Sequence, residues 1–362
     1  MKIGILTYHC AHNYGAMLQA YAMLEYLRSL GYEVSVIDYT PAFLTVPYRW
    51  FFPKSWLPEY DTSGSLKSHV KECLLTPLRI KRYRTFTSFI RNYFPLYQMR
   101  KNDDFSGFDA VLIGSDQVWR KTIHGGQFDP LYFGQGMKCR VFSYAASAGI
   151  NILDEEDRTF FKNSLRNFFA VGVREESLRE LLQPLTEKQV ETTLDPVLLA
   201  GEKIMNKIAS SVPVPSKYVL YYDILRQTSA CAAFASHISK QLNADIVGLT
   251  GHIFWKKNDA SIHFAAGPEE FVSLIRNAEC IVTNSFHGLA FSLIFNKPFY
   301  SLMSHQQIDV RQWSILQKLG LEERFVDNKD RPIFSPVDFS AANWKLQEEA
   351  EKSAIFLQQA LR

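Results

Sequence analysis

Three polar segments of this sequence each follow a short apolar run that is typical of a buried β-strand. The segments are Tyr8–Gly15, Gly114–Trp119 and Asn284–Gly288. In a parallel sheet, the loops that follow the carboxyl ends of the strands lie at one edge and form the usual ligand site. The polar side chains of these segments are therefore the first candidates for chemistry.

The third segment contains the strongest candidate for a catalytic group, His287. It lies between the predicted strand Cys280–Thr283 and an apolar helix, beside Asn284 and Ser285, which could cap the helix or bind a substrate. Histidine titrates closest to neutrality, so it can act as a general acid or base. A helix N-terminus disfavours the imidazolium, so we expect a neutral ring near neutral pH. A structural histidine is the alternative.

The loop after the first predicted strand contains Asn13 and Gly15 just before a helix. Glycine permits close approach of the backbone, and the free N–H groups of a helix N-terminus favour an anion. Both residues are therefore binding candidates, with a tight strand–helix turn as the alternative. The loop has a single glycine and no GxGxxG pattern, so nothing indicates NAD.

The loop after the predicted strand Ala110–Ile113 contributes Ser115, Asp116 and Trp119. The first two could bind a substrate, or one of them could simply cap a following helix. Trp119 could stack on the face of a sugar, although a buried tryptophan explains its position equally well.

Two arginines become important if the ligand is anionic, because the guanidinium fork binds carboxylate and phosphate in a bidentate manner. Arg174 follows the predicted strand Ala170–Val173, and Arg311 lies at the start of a predicted helix. We expect both to face the cleft that His287 faces. The basic run from Arg79 to Arg91 falls on a helical stretch and is most simply explained as a solvated face.

Strand-like and helix-like segments alternate along the chain, which indicates parallel sheets covered by helices on both faces. Residues 210–216 carry two prolines among small residues and resemble a linker. We therefore predict an α/β protein with two Rossmann-like, doubly wound domains that face each other across a cleft. The predicted parts are residues 1–210, residues 217–340 and a terminal helix over 341–362.

The composition excludes several classes of protein. Of the 362 residues, 47% are apolar and 21% charged, with 40 basic against 37 acidic residues, which argues against disorder and against a nucleic-acid partner. No run approaches the ~18 apolar residues of a membrane span, and the start of the chain lacks the apolar core of a signal peptide. The five cysteines form no CxxC. We predict a cytoplasmic protein without a metal or a cofactor.

Residues 43–60 are rich in aromatic side chains and proline. They could form a lid over a glycan or a docking patch for a lipid-linked acceptor, which would bring the protein to the surface of a membrane. Ordinary packing explains the segment equally well.

Four stretches spread over nearly the whole chain resemble the polysaccharide pyruvyl transferase family. In order, they are GILTYHCAHNYGAMLQAYAMLEYL, FDAVLIGSDQVW, VGVREESL with LDPVLL, and VTNSFHGLAFSLIFNKPF. The resemblance implies an architecture similar to GT-B glycosyltransferases. It also implies transfer of a pyruvyl group from phosphoenolpyruvate, as co-substrate, to sugar hydroxyls as a ketal. We assign the acceptor to the N-terminal domain and the donor to the C-terminal domain.

The chain departs from this family at one place. Members of the family carry Arg-Leu-His where this sequence reads Ser285-Phe286-His287. The resemblance therefore implies that His287 is the family's histidine, while the family's arginine is absent. A phosphoenolpyruvate site then needs another source of positive charge, which Arg174 and Arg311 could provide.

Two other functions stay open at this point. One is a GT-B-type glycosyltransferase with a nucleotide-sugar donor, which should be stabilised by nucleoside diphosphates rather than by phosphoenolpyruvate. The other is a non-catalytic glycan-binding protein, in which the polar residues at the strand ends should tolerate substitution.

Overall fold

The computed structural model describes residues 1–48, 66–121, 125–225, 227–250, 260–304 and 309–362. The described residues form two parallel β-sheets with helices packed around them. Residues 49–60 of the aromatic segment lie outside the described residues. Within the described ranges, none of the helices combines the length and the apolar character that are needed to cross a membrane.

The first sheet has seven strands in the order β3-β2-β1-β4-β5-β6-β7, all parallel. Its strands are β1 (Lys2–Leu6), β2 (Glu33–Ile37), β3 (Leu96–Tyr97), β4 (Ala110–Ile113), β5 (Arg140–Ala146), β6 (Ala170–Val173) and β7 (Val190–Thr192). The strand order reverses between β1 and β4, so a crevice for a ligand opens beyond their carboxyl ends. The loops with Asn13–Gly15 and with Ser115–Asp116 follow these two strands.

The second sheet repeats this plan with six parallel strands in the order β10-β9-β8-β11-β12-β13. Its strands are β8 (Tyr218–Asp223), β9 (Asp245–Thr250), β10 (Ala260–Ile262), β11 (Cys280–Thr283), β12 (Phe299–Leu302) and β13 (Phe325–Val326). Here the order reverses between β8 and β11, and the segment with His287 follows β11. Each polar segment singled out in the sequence therefore lies at a switch point of a sheet.

The helices connect successive strands of each sheet. They are α1 (Tyr14–Ser29), α2 (Ala42–Thr45), α3 (Leu66–Tyr93), α4 (Glu155–Ser164), α5 (Glu176–Leu182), α6 (Pro196–Met205), α7 (Thr228–Leu242), α8 (Pro268–Asn277), α9 (Phe286–Ile294), α10 (Val310–Leu319) and α11 (Ser340–Leu361). The terminal helix α11 follows the second sheet in the chain but packs on the first. Its Ser353 hydroxyl accepts a hydrogen bond from the Leu194 amide (2.9 Å), and Phe356 covers Gly172 of β6.

One apolar core runs without interruption from the first sheet into the second. It passes from Leu18 of α1 through Leu198 of α6 to Phe291 of α9 and Ile281 of β11. The ring of Tyr14, at the start of α1, stacks on that of Phe271 in α8 with 4.7 Å between the centroids. The two sheets are thus joined by buried side chains and not only by the linker.

Candidate active site

His287 lies in the first turn of α9, where the backbone leaves β11. The Ser285 hydroxyl caps this helix by accepting a hydrogen bond from the Gly288 amide (3.4 Å), and His287 itself is 6% exposed. The helix begins here because a capping serine follows the strand and an apolar run follows the serine. The imidazole is therefore held at the edge of the second sheet, facing the first.

A buried carboxylate of the first half, Asp195, lies opposite this imidazole. Its Oδ2 is 3.5 Å from His287 Nε2 and accepts hydrogen bonds from Ser115 Oγ (2.9 Å) and Arg174 Nη1 (3.1 Å). Its Oδ1 accepts from the amide of Val197 (3.0 Å) and so caps α6. Burial opposes the charge, but the neighbouring His287 and Arg174 hold the pKa of Asp195 well below its usual range. Asp195 is therefore an ionised anchor for three of the predicted residues.

Both predicted arginines line the same pocket. The guanidinium carbon of Arg174 lies 4.7 Å and that of Arg311 5.9 Å from the centroid of the Phe286 ring. Asp195 and Phe286 contribute to the same wall, and so does Lys318, which lies about two helical turns beyond Arg311 on α10. The uncharged Phe286 is thus flanked by two cations.

The charges of this pocket are only partly compensated. Burial first, and then the neighbouring Arg174, lower the pKa of Arg311 to about 10. For Arg174, burial works against the charge, but Glu175 and Asp195 raise its pKa overall. Among the described residues, Arg174 Nη2, Arg311 Nε and His287 Nε2 are buried and have no hydrogen-bond partner. Donors left in this state favour a bound anion, which would supply the missing acceptors.

The backbone of Gly15 lies directly against the imidazole ring of His287. A Cβ atom at this glycine would lie 2.0 Å from His287 Nδ1, so no other residue fits without displacing the ring. Asn13 caps α1, the helix that contains Gly15, because its Oδ1 accepts a hydrogen bond from the amide of Ala16 (3.2 Å). The N-terminus of α1 therefore closes one side of the imidazole.

The start of α1 is fixed to the second half by Tyr14 and Arg82. The Tyr14 hydroxyl donates to the carbonyl of Ala266 (2.8 Å), and Arg82 donates to that hydroxyl (2.9 Å). Arg82 also donates to the carbonyls of Phe264 (2.9 Å) and His12 (3.2 Å). The expectation of a solvated basic face is wrong for Arg82, because its guanidinium donates to two backbone carbonyls and to the Tyr14 hydroxyl.

Trp119 does not offer a face to a sugar, and that prediction is wrong. The side chain is fully buried, its indole N–H donates to the carbonyl of Tyr132 (2.8 Å), and Phe133 stacks on it at 5.3 Å between centroids. Phe161 and Phe168 pack edge-on against the same ring. Trp119 is therefore a core residue, packed among the aromatic rings that lie beside β4 and β5.

Asn284, predicted to bind substrate, is instead bonded to the end of β8 and the residue after it. Its amide donates to Asp223 Oδ1 (2.8 Å), and its Oδ1 accepts from the amide of Ile224 (3.0 Å). Both ends of the side chain therefore join the loops after β8 and β11. Asn284 therefore supports the switch point, since both polar atoms of its side chain are bonded to the end of β8 and the residue after it.

The loop after β4 also differs from the expectation of a capped helix. Within the described residues no α-helix lies between β4 and β5, and Asp116 adopts a positive φ of 77° in a bridge to Ala146. Ser115 is fully buried and directs its hydroxyl to Asp195, so it supports that carboxylate and does not face the pocket. The negative charge of Asp116 acts on both Arg174 and Arg311.

Two acidic residues of the site, Glu175 and Asp195, were not singled out in the sequence. Each comes soon after a strand of the first sheet, Glu175 after β6 and Asp195 after β7. The rule that selected Arg174 would have selected both. Among the described residues, no group of three or more His, Cys, Asp or Glu side chains is arranged to hold a metal ion.

Comparison with solved structures identifies the architecture. UDP-N-acetylglucosamine 2-epimerase from Rickettsia bellii is 13% identical with a TM-score of 0.50, and the alignment covers 100% of this chain and 97% of that one. The 2-epimerase from Methanocaldococcus jannaschii is 14% identical, with a TM-score of 0.47 over 99% and 100% of the two chains. The glycosyltransferase SnogD from Streptomyces nogalater is 12% identical, with a TM-score of 0.47 over 99% of each. The predicted α/β fold, GT-B-like with two Rossmann-like domains, is confirmed.

Comparison of the sequence itself gives a more specific result. No match to the chain is found among the curated proteins. A family model described as polysaccharide pyruvyl transferase matches residues 13–306. The matched range contains the loop with Gly15, both carboxylates of the site, Arg174 and His287.

Proposed function

Since the chain belongs to the polysaccharide pyruvyl transferase family, we propose that it transfers the pyruvyl group of phosphoenolpyruvate to sugar hydroxyls as a ketal. The observation that supports this proposal is that two buried guanidinium nitrogens without a hydrogen-bond partner among the described residues, Arg174 Nη2 and Arg311 Nε, belong to residues that line one pocket. A ligand with both a carboxylate and a phosphate supplies acceptors for both of them. Arg174 comes from the N-terminal half and Arg311 from the C-terminal half, so we place the donor between the two halves and not in the C-terminal half alone.

Phosphoenolpyruvate carries roughly three negative charges, which are costly to bury without partners. Arg174 offers Nη2 and Arg311 offers Nε to these charges. Lys318 also lines the pocket, where it is paired with Glu349 (2.9 Å). This arrangement supplies the positive charge that the family's arginine would provide in the segment before His287. The donor site is thereby built from α10 and the end of β6.

In this proposal, His287 moves the proton that the reaction requires. The methylene carbon of phosphoenolpyruvate must gain a proton before a hydroxyl oxygen can attack the neighbouring carbon, and phosphate then leaves. His287 Nε2 has no hydrogen-bond partner among the described residues, and it lies 3.5 Å from the carboxylate of Asp195. A carboxylate at this distance stabilises the positive charge of the ring while it holds the proton. Asp195 is then a positioning residue for both His287 and Arg174.

The purified protein is expected to release phosphate from phosphoenolpyruvate only when an acceptor sugar is present. A panel of lipid-linked and nucleotide-linked sugars is incubated with the donor, phosphate is measured, and the ketal is identified by mass spectrometry. Phosphoenolpyruvate at 100 times its Kd should also stabilise the protein against heat by roughly 2.7 kcal/mol. Absence of phosphate release by folded protein across the panel would contradict the proposal. Stabilisation by nucleoside diphosphates alone would indicate a nucleotide-sugar donor instead.

Arg311→Lys is expected to weaken the binding of phosphoenolpyruvate roughly 10- to 100-fold, although the charge is kept. The reason is that lysine loses the planar fork, and a hydrogen bond to a charged group contributes about 1.5–3 kcal/mol. Isothermal titration with phosphoenolpyruvate measures the change. Arg331→Lys is the matched control, because Arg331 is exposed and donates only to the backbone carbonyls of Asn328 and Asp330. An unchanged donor affinity for Arg311→Lys would remove this residue from the site.

A further inference from the structure

Glu175 is a second buried carboxylate in the pocket wall, and it is only half satisfied. It is 3% exposed and lines the pocket together with Arg174 and Arg311. Its Oε1 accepts hydrogen bonds from Ser147 Oγ (2.7 Å) and Arg174 Nε (3.3 Å). Its Oε2 is buried and has no hydrogen-bond partner among the described residues. One oxygen of this carboxylate thus lacks a hydrogen-bond donor.

The donor molecule cannot supply what this oxygen lacks. Phosphoenolpyruvate brings acceptor oxygens, which match the spare N–H groups of Arg174 and Arg311 but repel a carboxylate. Asp195, the other carboxylate of the wall, accepts hydrogen bonds at both of its oxygens. Glu175 Oε2 therefore calls for a neutral ligand group that donates a hydrogen bond, and a sugar hydroxyl is such a group.

The spare acceptor and the spare donors are neighbours. Arg174 Nη2 and Glu175 Oε2 belong to consecutive residues whose side chains are already joined through Arg174 Nε and Glu175 Oε1. An anion bound to Arg174 and a hydroxyl bound to Glu175 would consequently meet at the end of β6. The site has one place for the electrophile and one for the nucleophile.

We propose that Glu175 is a catalytic base that binds a hydroxyl of the acceptor sugar at Oε2 and takes its proton as the oxygen attacks. This inference rests on the proposed function. In the first step, the C2–O bond forms, the electron pair of the C2–C3 double bond takes a proton from His287, and the hydroxyl proton passes to Glu175. The product is a tetrahedral ketal phosphate.

The second step returns both residues to their starting states. The C2–O bond to phosphate breaks, and the phosphate leaves with the electron pair and receives the proton held by Glu175. The second hydroxyl attacks the resulting oxocarbenium carbon, and its proton passes to His287. One hydroxyl proton thus appears in the new methyl group and the other on the phosphate, so atoms and charge balance.

A structural role as a partner for Arg174 alone makes a different prediction. Glutamine at position 175 keeps an acceptor oxygen for Ser147 and Arg174 and keeps the size of the side chain, but it cannot take a proton. If Glu175 only orients Arg174, the acceptor retained in Glu175→Gln leaves turnover near the wild-type value. Any loss caused by the missing charge then appears equally in the affinity for phosphoenolpyruvate.

The test compares Glu175→Gln with the control Glu176→Gln, whose side chain is 42% exposed and pairs with Arg179 on the surface of α5. We expect Glu175→Gln to lose roughly 10²–10⁴ in kcat and to bind phosphoenolpyruvate within a few-fold of wild type. Turnover near that of wild type, or a loss of turnover matched by an equal loss of donor affinity, would overturn the proposal.

A second variant covers the case in which Glu175→Gln fails to fold. Glu175→Asp keeps the charge but withdraws the carboxylate by one methylene, so we expect lower kcat with unchanged donor affinity. Wild-type turnover in this variant would overturn the assignment. Failure of the proposed function is distinguished by the wild-type protein, which would then release no phosphate with any acceptor.

Discussion

His287→Asn is expected to lower turnover roughly 10²–10⁴-fold, the range for loss of one general acid–base group. Asparagine has a similar reach and can form a hydrogen bond, but its side chain cannot donate a proton to the substrate or accept one from it. In the proposed site Arg174 and Arg311 hold the donor, so its affinity should stay within a few-fold of the wild-type value. Phosphate release at saturating donor and a binding titration with phosphoenolpyruvate measure the two quantities separately.

The control for this variant is His237→Asn on α7, where the ring contacts the carbonyl of Pro332 (2.9 Å) away from the pocket. It should leave turnover unchanged. If His287→Asn turns over at the wild-type rate, or fails to fold, then His287 is a core residue and its assignment as the catalytic histidine is wrong.

Gly15→Ala is expected to reduce turnover nearly as much as loss of His287, because the new methyl group would occupy the space of the ring. The three atoms nearest to such a Cβ are Nδ1, Cγ and Cε1 of His287, at 2.0, 2.4 and 2.7 Å. Without this contact, alanine stabilises a helical position by roughly 0.5–1 kcal/mol relative to glycine. Overpacking of a buried site costs about 1–3 kcal/mol, so we expect a net loss of stability together with the loss of turnover.

A double-mutant cycle tests whether this effect acts through the histidine. His287→Ala removes all three contacting atoms, so Gly15→Ala should cost less unfolding free energy in that background, or even stabilise. Gly107→Ala is the matched control, because a Cβ there meets no atom within 4 Å. An equal cost in both backgrounds would show that alanine at position 15 acts on some other contact.

The sheets and the loops at their switch points could be predicted from the sequence, because apolar runs and polar ends repeat regularly. The sequence predicted that the Gly15 backbone comes close to a bound anion. The group found next to it is the His287 side chain of the other half, some 270 residues further along the chain. Contacts at that separation depend on how the two sheets are oriented, and no local pattern encodes this. The pairing of His287 with Asp195 has the same origin.

The wrong assignments have a local cause. Trp119 and Asn284 both follow strands, as ligand-binding residues do, yet each completes the packing or the hydrogen bonding of its own loop. A residue at a strand end faces either the crevice or the neighbouring loop, and spacing does not decide between them. Glu175 and Asp195 follow strands as well, but an acidic residue next to a helix start is also a routine cap, so spacing alone does not distinguish the two roles.

The uninterrupted apolar core has a consequence for the way the molecule comes apart. Two domains joined only by a linker melt separately, but here α1, α6, α8 and α9 share buried side chains across the seam between the sheets. Opening the seam would expose these side chains to water at about 25 cal/mol per Å² of apolar surface. The two halves are therefore expected to behave as one cooperative unit, in which neither survives the unfolding of the other. The juxtaposition of His287 and Asp195 then persists for as long as the protein is folded at all.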